Sequence, residues 1–389
     1  MIITKVQIKN WRNFRKAEID LRDVTYIMGP NASGKSNFLD VFRFLRDIAK
    51  PQGGGLNNAL EMRGGFSKVR CLAARQNPNI LISVELADVN GEVHPKWKYT
   101  LEIGQQSRGH FLPKVVREEV FSFDQNKVIL QRPDANDKKD ERLLTQTALE
   151  QLAMNGGFRE IADFFADVLY LHLVPQLLKF GNELAVKKMT NDPFGQGFLE
   201  KIACTPEKIR RSRLSRIENI LKGVIHGFSD LQFAKDEGGH PHLQMRYTHW
   251  RKKGGFQSEE DFSDGTLRLI GLVWTLLENG SLILLEEPEL SLNKAIVEKI
   301  PEMIQRGRES RKKGDNGQIL VSTHSEALLS SSVIRGQYLT IEPKTKEGEG
   351  SVINPPTEND LKAMSAGLPP SDVLLPKVCA DIAIPALMK

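Results

Sequence analysis

The absences in this sequence narrow its chemistry first. Only three cysteines occur in 389 residues. Cys71, Cys204 and Cys379 stand far apart with no CxxC pair, so neither a disulfide framework nor a zinc site is suggested. No stretch approaches the roughly 18 apolar residues that span a bilayer. The opening MIITKVQIKNWRNF alternates apolar and polar side chains and lacks the continuous apolar core of a secretion signal. A cytoplasmic setting with no membrane partner is expected. There is no internal repeat, no long heptad run and no low-complexity linker.

What remains is ordinary for a globular chain: 40% hydrophobic and 26% charged residues. The length suits one large domain, or a domain with a sizeable insertion. A formal net charge of +5 permits nucleic-acid contact without demonstrating it. His240, His242 and His249 form a loose group without acidic or cysteine partners at a recognised metal spacing, which favours a polar hairpin over a metal site.

Along the chain, residues 1–9 and the run Ala17, Ile19, Leu21 alternate as strands. Val24 to Met28 reads as a short strand ending at Gly29, and a helix follows from Lys35, with Phe38, Leu39, Phe42 and Leu45 at helical spacing. Three strands are expected at Ile80 to Leu86, Trp97 to Ile103 and Val115 to Phe121. Residues 141–171 read as helical, and a further helix runs from Thr205-Pro206 to about Gly227. A hairpin is expected from Leu231 to Tyr247 around Gly238-Gly239. Ser281 to Leu285 and Gln318 to Ser322 are apolar runs of the parallel-sheet type. The expected organisation is discontinuous: an N-terminal lobe over 1–140, an inserted helical region with the hairpin over 141–260, and a C-terminal lobe over 261–389.

The chemistry concentrates in two segments. Gly29-Pro30-Asn31-Ala32-Ser33-Gly34-Lys35-Ser36 matches G-x-x-x-x-G-K-[ST] in full, after an apolar strand and at a helix start. Backbone N–H groups there are suited to wrapping phosphates, Lys35 to bridging the β- and γ-phosphates of ATP, and the Ser36 hydroxyl to holding Mg²⁺. Leu282 to Glu289, LILLEEPE, is an apolar strand ending in two carboxylates. Glu286 is assigned to Mg²⁺, and Glu287 to general-base or water-positioning work.

With these residues in view, the sequence resembles the SMC/RecF-like branch of ABC ATPases. The resemblance rests on Ile8 to Phe14 (I-x-N-W-R-N-F), the loop GPNASGKSN through Asn37, and the LLEEPE strand. It implies an α/β fold: an ABC-type P-loop head with a mixed sheet, an N-terminal antiparallel β subdomain and an inserted helical subdomain. The Pro- and Gly-broken middle is too short for a long coiled coil. The resemblance further implies that Phe262-Ser263-Asp264-Gly265-Thr266 is the signature segment, with SDGT where transporters have SGGQ. Ser263 and the Gly265 backbone would reach the γ-phosphate held by a second subunit; an ordinary Ser-Asp helix cap is the alternative. His324, in Val321-Ser322-Thr323-His324-Ser325, would be the switch histidine, and Glu289 to Asn293 the D-loop. The glutamine joining the metal site to the lateral subdomain would be Gln176, or else Gln52.

Three functions follow. The first is an ATPase that closes as a homodimer on ATP and controls a separate effector, plausibly a nuclease or toxin, in prokaryotic antiphage defence. The tail from Pro355 to Lys389 leaves no room for a nuclease fold of its own. The second is a RecF-like ATPase in DNA repair, for which the basic run Lys208, Arg210, Arg211, Arg213 and Arg216, with Arg251-Lys252-Lys253, would contact phosphates. A solvated helix face explains that run equally well. Ile209, Ile217, Ile220 and Val224 would form the apolar face of that helix, with Arg210 and Arg213 intruding on it. The third, an ABC transporter subunit, is opposed by the paired glutamates, the SDGT variant and the long gap between P-loop and signature.

Overall fold

A computed structural model describes residues 1–74, 78–90, 92–106, 112–179, 194–247, 255–278, 280–309, 317–344 and 350–378. His249, Arg251-Lys252-Lys253 and Cys379 lie outside the described residues.

Two six-stranded sheets organise the chain. The first is antiparallel, in the order Phe14–Asp20, Ile2–Trp11, Ile80–Asn90, Glu92–Gln105, Pro113–Ser122, Lys127–Arg132. Its inward residues alternate as the sequence pattern predicts: Val6 pairs with Ile19 on one side and Val84 on the other, and Ile8 with Ala17 and Ile82. The second sheet runs Ser351–Asn354, Gln337–Pro343, Val24–Met28, Gln318–Thr323, Leu282–Glu286, Leu169–Leu171. All its neighbours are parallel except Ser351–Asn354, which makes the sheet mixed.

Alternation along the central strands divides the core between the two faces of this second sheet. Ile27, Leu284 and Leu320 pack with Phe38 and Phe42 of the helix Lys35–Ala49 and with the antiparallel sheet. Tyr26, Met28, Ile283, Leu285 and Val321 pack on the other side with the helices Asp264–Leu276 and Ile300–Glu309. Buried Gln318 joins the sheets, accepting from Ile3 N (2.9 Å) and donating to Ile3 O (2.7 Å) and Arg22 O (3.0 Å).

Residues 141–171 depart from the helical expectation. Only Arg159–Ala166 is an α-helix of eight residues there, preceded by short 3₁₀ turns at Glu141–Thr145 and Asn155–Phe158. Leu169–Leu171 is a strand, and it adds the edge of the core sheet beside Leu282–Glu286. The spacing of Leu149, Leu152, Ile161 and Phe165 imitates helical periodicity, but Gly156 and Gly157 break the run. The hairpin is Phe228–Lys235 with Pro241–Tyr247. Within it His240 pairs with Asp236 (2.9 Å) and His242 with Glu259 (2.7 Å).

Candidate functional site

The P-loop takes its shape from two left-handed residues. Ala32 has φ 62° and Gly34 φ 110°, and together they turn the chain from the Val24–Met28 strand into the helix Lys35–Ala49. Gly34 is required twice over, because a Cβ there would also stand 2.1 Å from Asn13 Nδ2. Asn13 holds the loop from outside. Its amide donates to Ser33 O and to Ser351 Oγ (both 2.8 Å), and its Oδ1 accepts from Asn37 Nδ2 (2.8 Å).

Lys35 is nearly buried, at 5% exposure. Its ammonium donates to the carbonyls of Gly29 (2.8 Å) and Pro30 (3.2 Å), and Nζ lies 3.9 Å from Glu287 Oε1. Burial pushes it below the usual lysine range, while Glu287, Glu289 and Glu286 pull in the other direction.

The second carboxylate segment meets the loop from the adjacent strands. Glu286 accepts from the Ser36 hydroxyl through Oε1 and from the Tyr170 hydroxyl through Oε2 (2.5 Å). Burial pushes the Tyr170 phenol well above its ordinary range, with Glu286 adding to the shift, so the phenol stays protonated as the donor. Glu287 follows with φ 43°. A non-glycine residue in this region costs about 1–2 kcal/mol, and such strain is tolerated where it aims a working side chain. Glu287 Oε1 lies 3.2 Å from His324 Nδ1. Beneath them Glu289 Oε1 accepts from Thr323 Oγ1 (2.6 Å) and from His324 N (3.3 Å), while its buried Oε2 has no partner among the described residues. Burial raises this carboxyl above the usual range, opposed mainly by the Thr323 hydroxyl.

The residues present suit a magnesium-bound nucleotide. Among the described residues Ser33 Oγ is buried without a hydrogen-bond partner, and Gly29 forms a cradle that a Cβ would fill, 2.5 Å from Ser33 Oγ and 2.6 Å from Ile341 O. The helix Lys35–Ala49 starts with no side-chain cap, leaving its first N–H groups for an anion. Ser36 and Glu286 together offer the hard oxygen donors that Mg²⁺ takes.

The segment Phe262 to Thr266, expected as the signature, stands apart from this cluster. Ser263 caps the helix Asp264–Leu276, accepting from Thr266 N at 3.1 Å, so the local capping alternative is realised in this conformation. A Cβ on Gly265 would stand 3.0 Å from Ser291 O, which places the segment against the D-loop stretch. Gln176 departs from its expected place. Its amide donates to Asp264 Oδ2 (2.6 Å), and Lys179 holds Asp264 Oδ1 at 2.9 Å. Among the described residues neither Gln176 nor Gln52 is hydrogen-bonded to Ser36 or Glu286, and Gln52 is exposed in the turn after the P-loop helix. The reason is geometric: the Leu169–Leu171 strand delivers Tyr170 to Glu286, and Gln176 has already passed onto the helix Pro175–Lys179.

Sequence reasoning missed Tyr170, Asn13 as a loop tether, and Thr323. The signal for Tyr170 was present: Leu169, Leu171 and Leu173 alternate with Tyr170 and His172, the period of a strand.

The basic helix is Glu207–Lys222. Of its expected apolar face, Ile217 is buried and Ile220 and Val224 pack against the core, with Leu214 and Leu221 beside them, while Ile209 is 47% exposed. Arg210 and Arg213 do intrude on the buried side: Arg210 stacks on Phe233 (4.1 Å) and Arg213 on Trp274 (5.1 Å). Arg211 pairs with Glu207 at the surface. Three of the five cations therefore already have partners within the chain.

Comparison with known proteins shows the family and the fold. The sequence profile of the family described as "AAA domain, putative AbiEii toxin, Type IV TA system" matches residues 24–330. Among solved structures the chain is similar to an SMC head bound to the C-winged helix domain of ScpA. The TM-score is 0.54 at 12% identity, over 93% of this chain and 100% of that one. It is also similar to an Smc head domain with an extended coiled coil, bound to the C-terminal domain of ScpA derived from Pyrococcus furiosus. There the TM-score is 0.51 at 11% identity, over 94% and 99% of the two chains. At such identities the likeness is one of fold. No curated protein matches.

Proposed function

This chain belongs to the AAA-domain family whose profile spans residues 24–330 and has the fold of an SMC-type ABC ATPase head, and we propose that it hydrolyses ATP as a dimer-closing switch. The observation that carries the proposal is the meeting of Lys35 and Ser36 with Glu287 and Glu286 at the ends of adjacent segments. One loop that binds phosphate and one strand that ends in two carboxylates are what phosphoryl transfer to water needs.

In this reading the P-loop amides and Lys35 hold the triphosphate, with Lys35 leaving its two carbonyl partners for phosphate oxygens. Ser36 and Glu286 hold Mg²⁺, which supplies charge neutralisation on the phosphates. Glu287 takes the proton of the attacking water as that oxygen bonds to the γ-phosphorus and the bond to ADP breaks. His324 steadies the Glu287 carboxylate through Oε1, the same oxygen that faces Lys35. Ser263 and the Gly265 N–H of a second copy complete the anion site, which makes ATP occupancy and dimerisation one event.

A head of this kind does mechanical or signalling work through something else. The family description, "putative AbiEii toxin, Type IV TA system", supports a role in prokaryotic defence, and control of a separate effector protein is part of the proposal. The DNA-repair alternative is weakened by the internal commitments of Arg210 and Arg213. Among the described residues no helix is long and apolar enough to cross a membrane.

The test is phosphate release from ATP with Mg²⁺, together with light scattering of the Glu287→Gln protein with and without ATP. Turnover and an ATP-dependent dimer are expected. No turnover in the wild type would remove the ATPase reading; a Glu287→Gln protein that binds ATP yet stays monomeric would remove the switch.

A further inference from the structure

Glu286 is a metal carboxylate only if its oxygens face the metal, and a glutamate side chain reaches that pose by freezing three torsions. One oxygen is fixed by Ser36. The other accepts from Tyr170, whose strand is parallel to that of Glu286, with Tyr170 in register with Leu284. Residues in register share a face, as do residues two apart on a strand, so Tyr170 and Glu286 project to the same side.

Tyr170 is itself held. The Arg43 guanidinium, two turns into the P-loop helix, lies 3.9 Å from the centroid of its ring, and His172 stacks beside it at 6.4 Å. Arg43 is tied in turn to a charge network. Its Nη1 lies 3.9 Å from Asp40, which also accepts from Arg12 (3.2 Å) and Arg63 (2.8 Å). The helix that carries Ser36 therefore also carries the clamp on the residue that aims Glu286.

We propose that Tyr170, clamped by Arg43, is the positioning residue that presets Glu286 for Mg²⁺ at this nucleotide site. The proposal rests on the nucleotide-site reading above and assigns to Tyr170 the link to the metal carboxylate expected of Gln176. Gln176 and Lys179, at the other end of the same segment, hold Asp264 at the start of the signature helix. The stretch Leu169 to Lys179 thus touches both the metal carboxylate and the signature cap.

The test is calorimetric titration of ADP into wild type and Tyr170→Phe, once over a series of Mg²⁺ concentrations and once in EDTA. The substitution keeps the ring and its stack on Arg43 and removes one hydroxyl. The Mg²⁺ concentration that half-restores tight ADP binding is expected to rise about tenfold, as for other residues that orient metal ligands, with affinity in EDTA unchanged. An unchanged Mg²⁺ requirement overturns the proposal, and so does an equal loss with and without Mg²⁺, the mark of a merely structural residue. Arg43→Gln is expected to raise the Mg²⁺ requirement in the same direction, and it carries the test if Tyr170→Phe fails to fold. A wild type that binds no ADP in either condition would instead sink the nucleotide-site reading.

Discussion

Lys35 Nζ lies 3.9 Å from Glu287 Oε1, so the proposed phosphate-binding cation and the proposed base face each other. The pair compensates burial in the resting site and is separable by mutation. Lys35→Met keeps the packing of the stem and removes the charge; we predict loss of ATP binding by at least about tenfold, read by calorimetry. Glu287→Gln keeps the shape and is predicted to retain ATP affinity while turnover falls roughly 10²–10⁴-fold, the range for a lost general base. Equal turnover in the Glu287→Gln protein would assign the base elsewhere.

Asn13 tests how much of the loop is held from outside. Asn13→Ala removes three hydrogen bonds around Ser33, Asn37 and Ser351, each contributing about 1 kcal/mol. The expected outcome is ADP binding weakened roughly tenfold, with the melting temperature lowered by several degrees at about 1 kcal/mol per lost bond. Gly34→Ala meets both the positive φ and the Asn13 amide. It is expected to abolish binding outright, and unaltered affinity would contradict the loop geometry.

The antiparallel lobe contains a buried ion cluster. Arg132, at 1% exposure, donates to Asp137 (2.7 Å) and Glu118 (3.3 Å), and Glu118 also accepts from Tyr99 and from the Ala148 and Leu149 amides. Arg132→Met strands two carboxylates and is predicted to cost about 3–5 kcal/mol in urea unfolding. A loss under 1 kcal/mol, by the same scale, would mean the cluster relaxes into water.

A pH dependence is expected at the hairpin. Burial alone would lower the His242 pKa, but its hydrogen bond to Glu259 and the nearby charge of Asp236 outweigh this and leave it raised above 6.5. A raised folded-state pKa stabilises the fold fully below pH 6.5, and that contribution fades as pH climbs through the folded value. Thermal melts across that window should show the loss in wild type and a flatter profile in His242→Gln. Identical profiles would show that the imidazole carries no linked proton.

The basic helix gives a graded test of DNA contact. If Lys208 and Arg216, both exposed, touched phosphates, charge reversal at the two would reduce the salt slope of binding by about two. We predict no such change, because the helix faces its own hairpin through Arg210 and Leu214.

Most of the sheet scaffold was legible because its signals are local. Val24–Met28, Leu282–Glu286 and Gln318–Thr323 are short apolar runs, and each is a core strand; the last two read as parallel-sheet strands and pair so. The stretch 141–171 was misread because apolar spacing cannot separate a helix from turns that bury the same residues. The apolar face of the Glu207–Lys222 helix was legible in part: Ile217 and Ile220 pack on the core, but Ile209 is exposed and the Arg210 stem covers apolar surface instead.

The sequence by itself determined the phosphate loop and its two carboxylates, because a P-loop is made by consecutive residues whose backbone torsions and side-chain chemistry are nearly self-sufficient. Only the tertiary structure decided who attends them. Tyr170 reaches Glu286 across 116 residues and Gln176 reaches Asp264 across 88. Those meetings depend on which strand closes the edge of the sheet, a consequence of packing that no local pattern in the chain encodes.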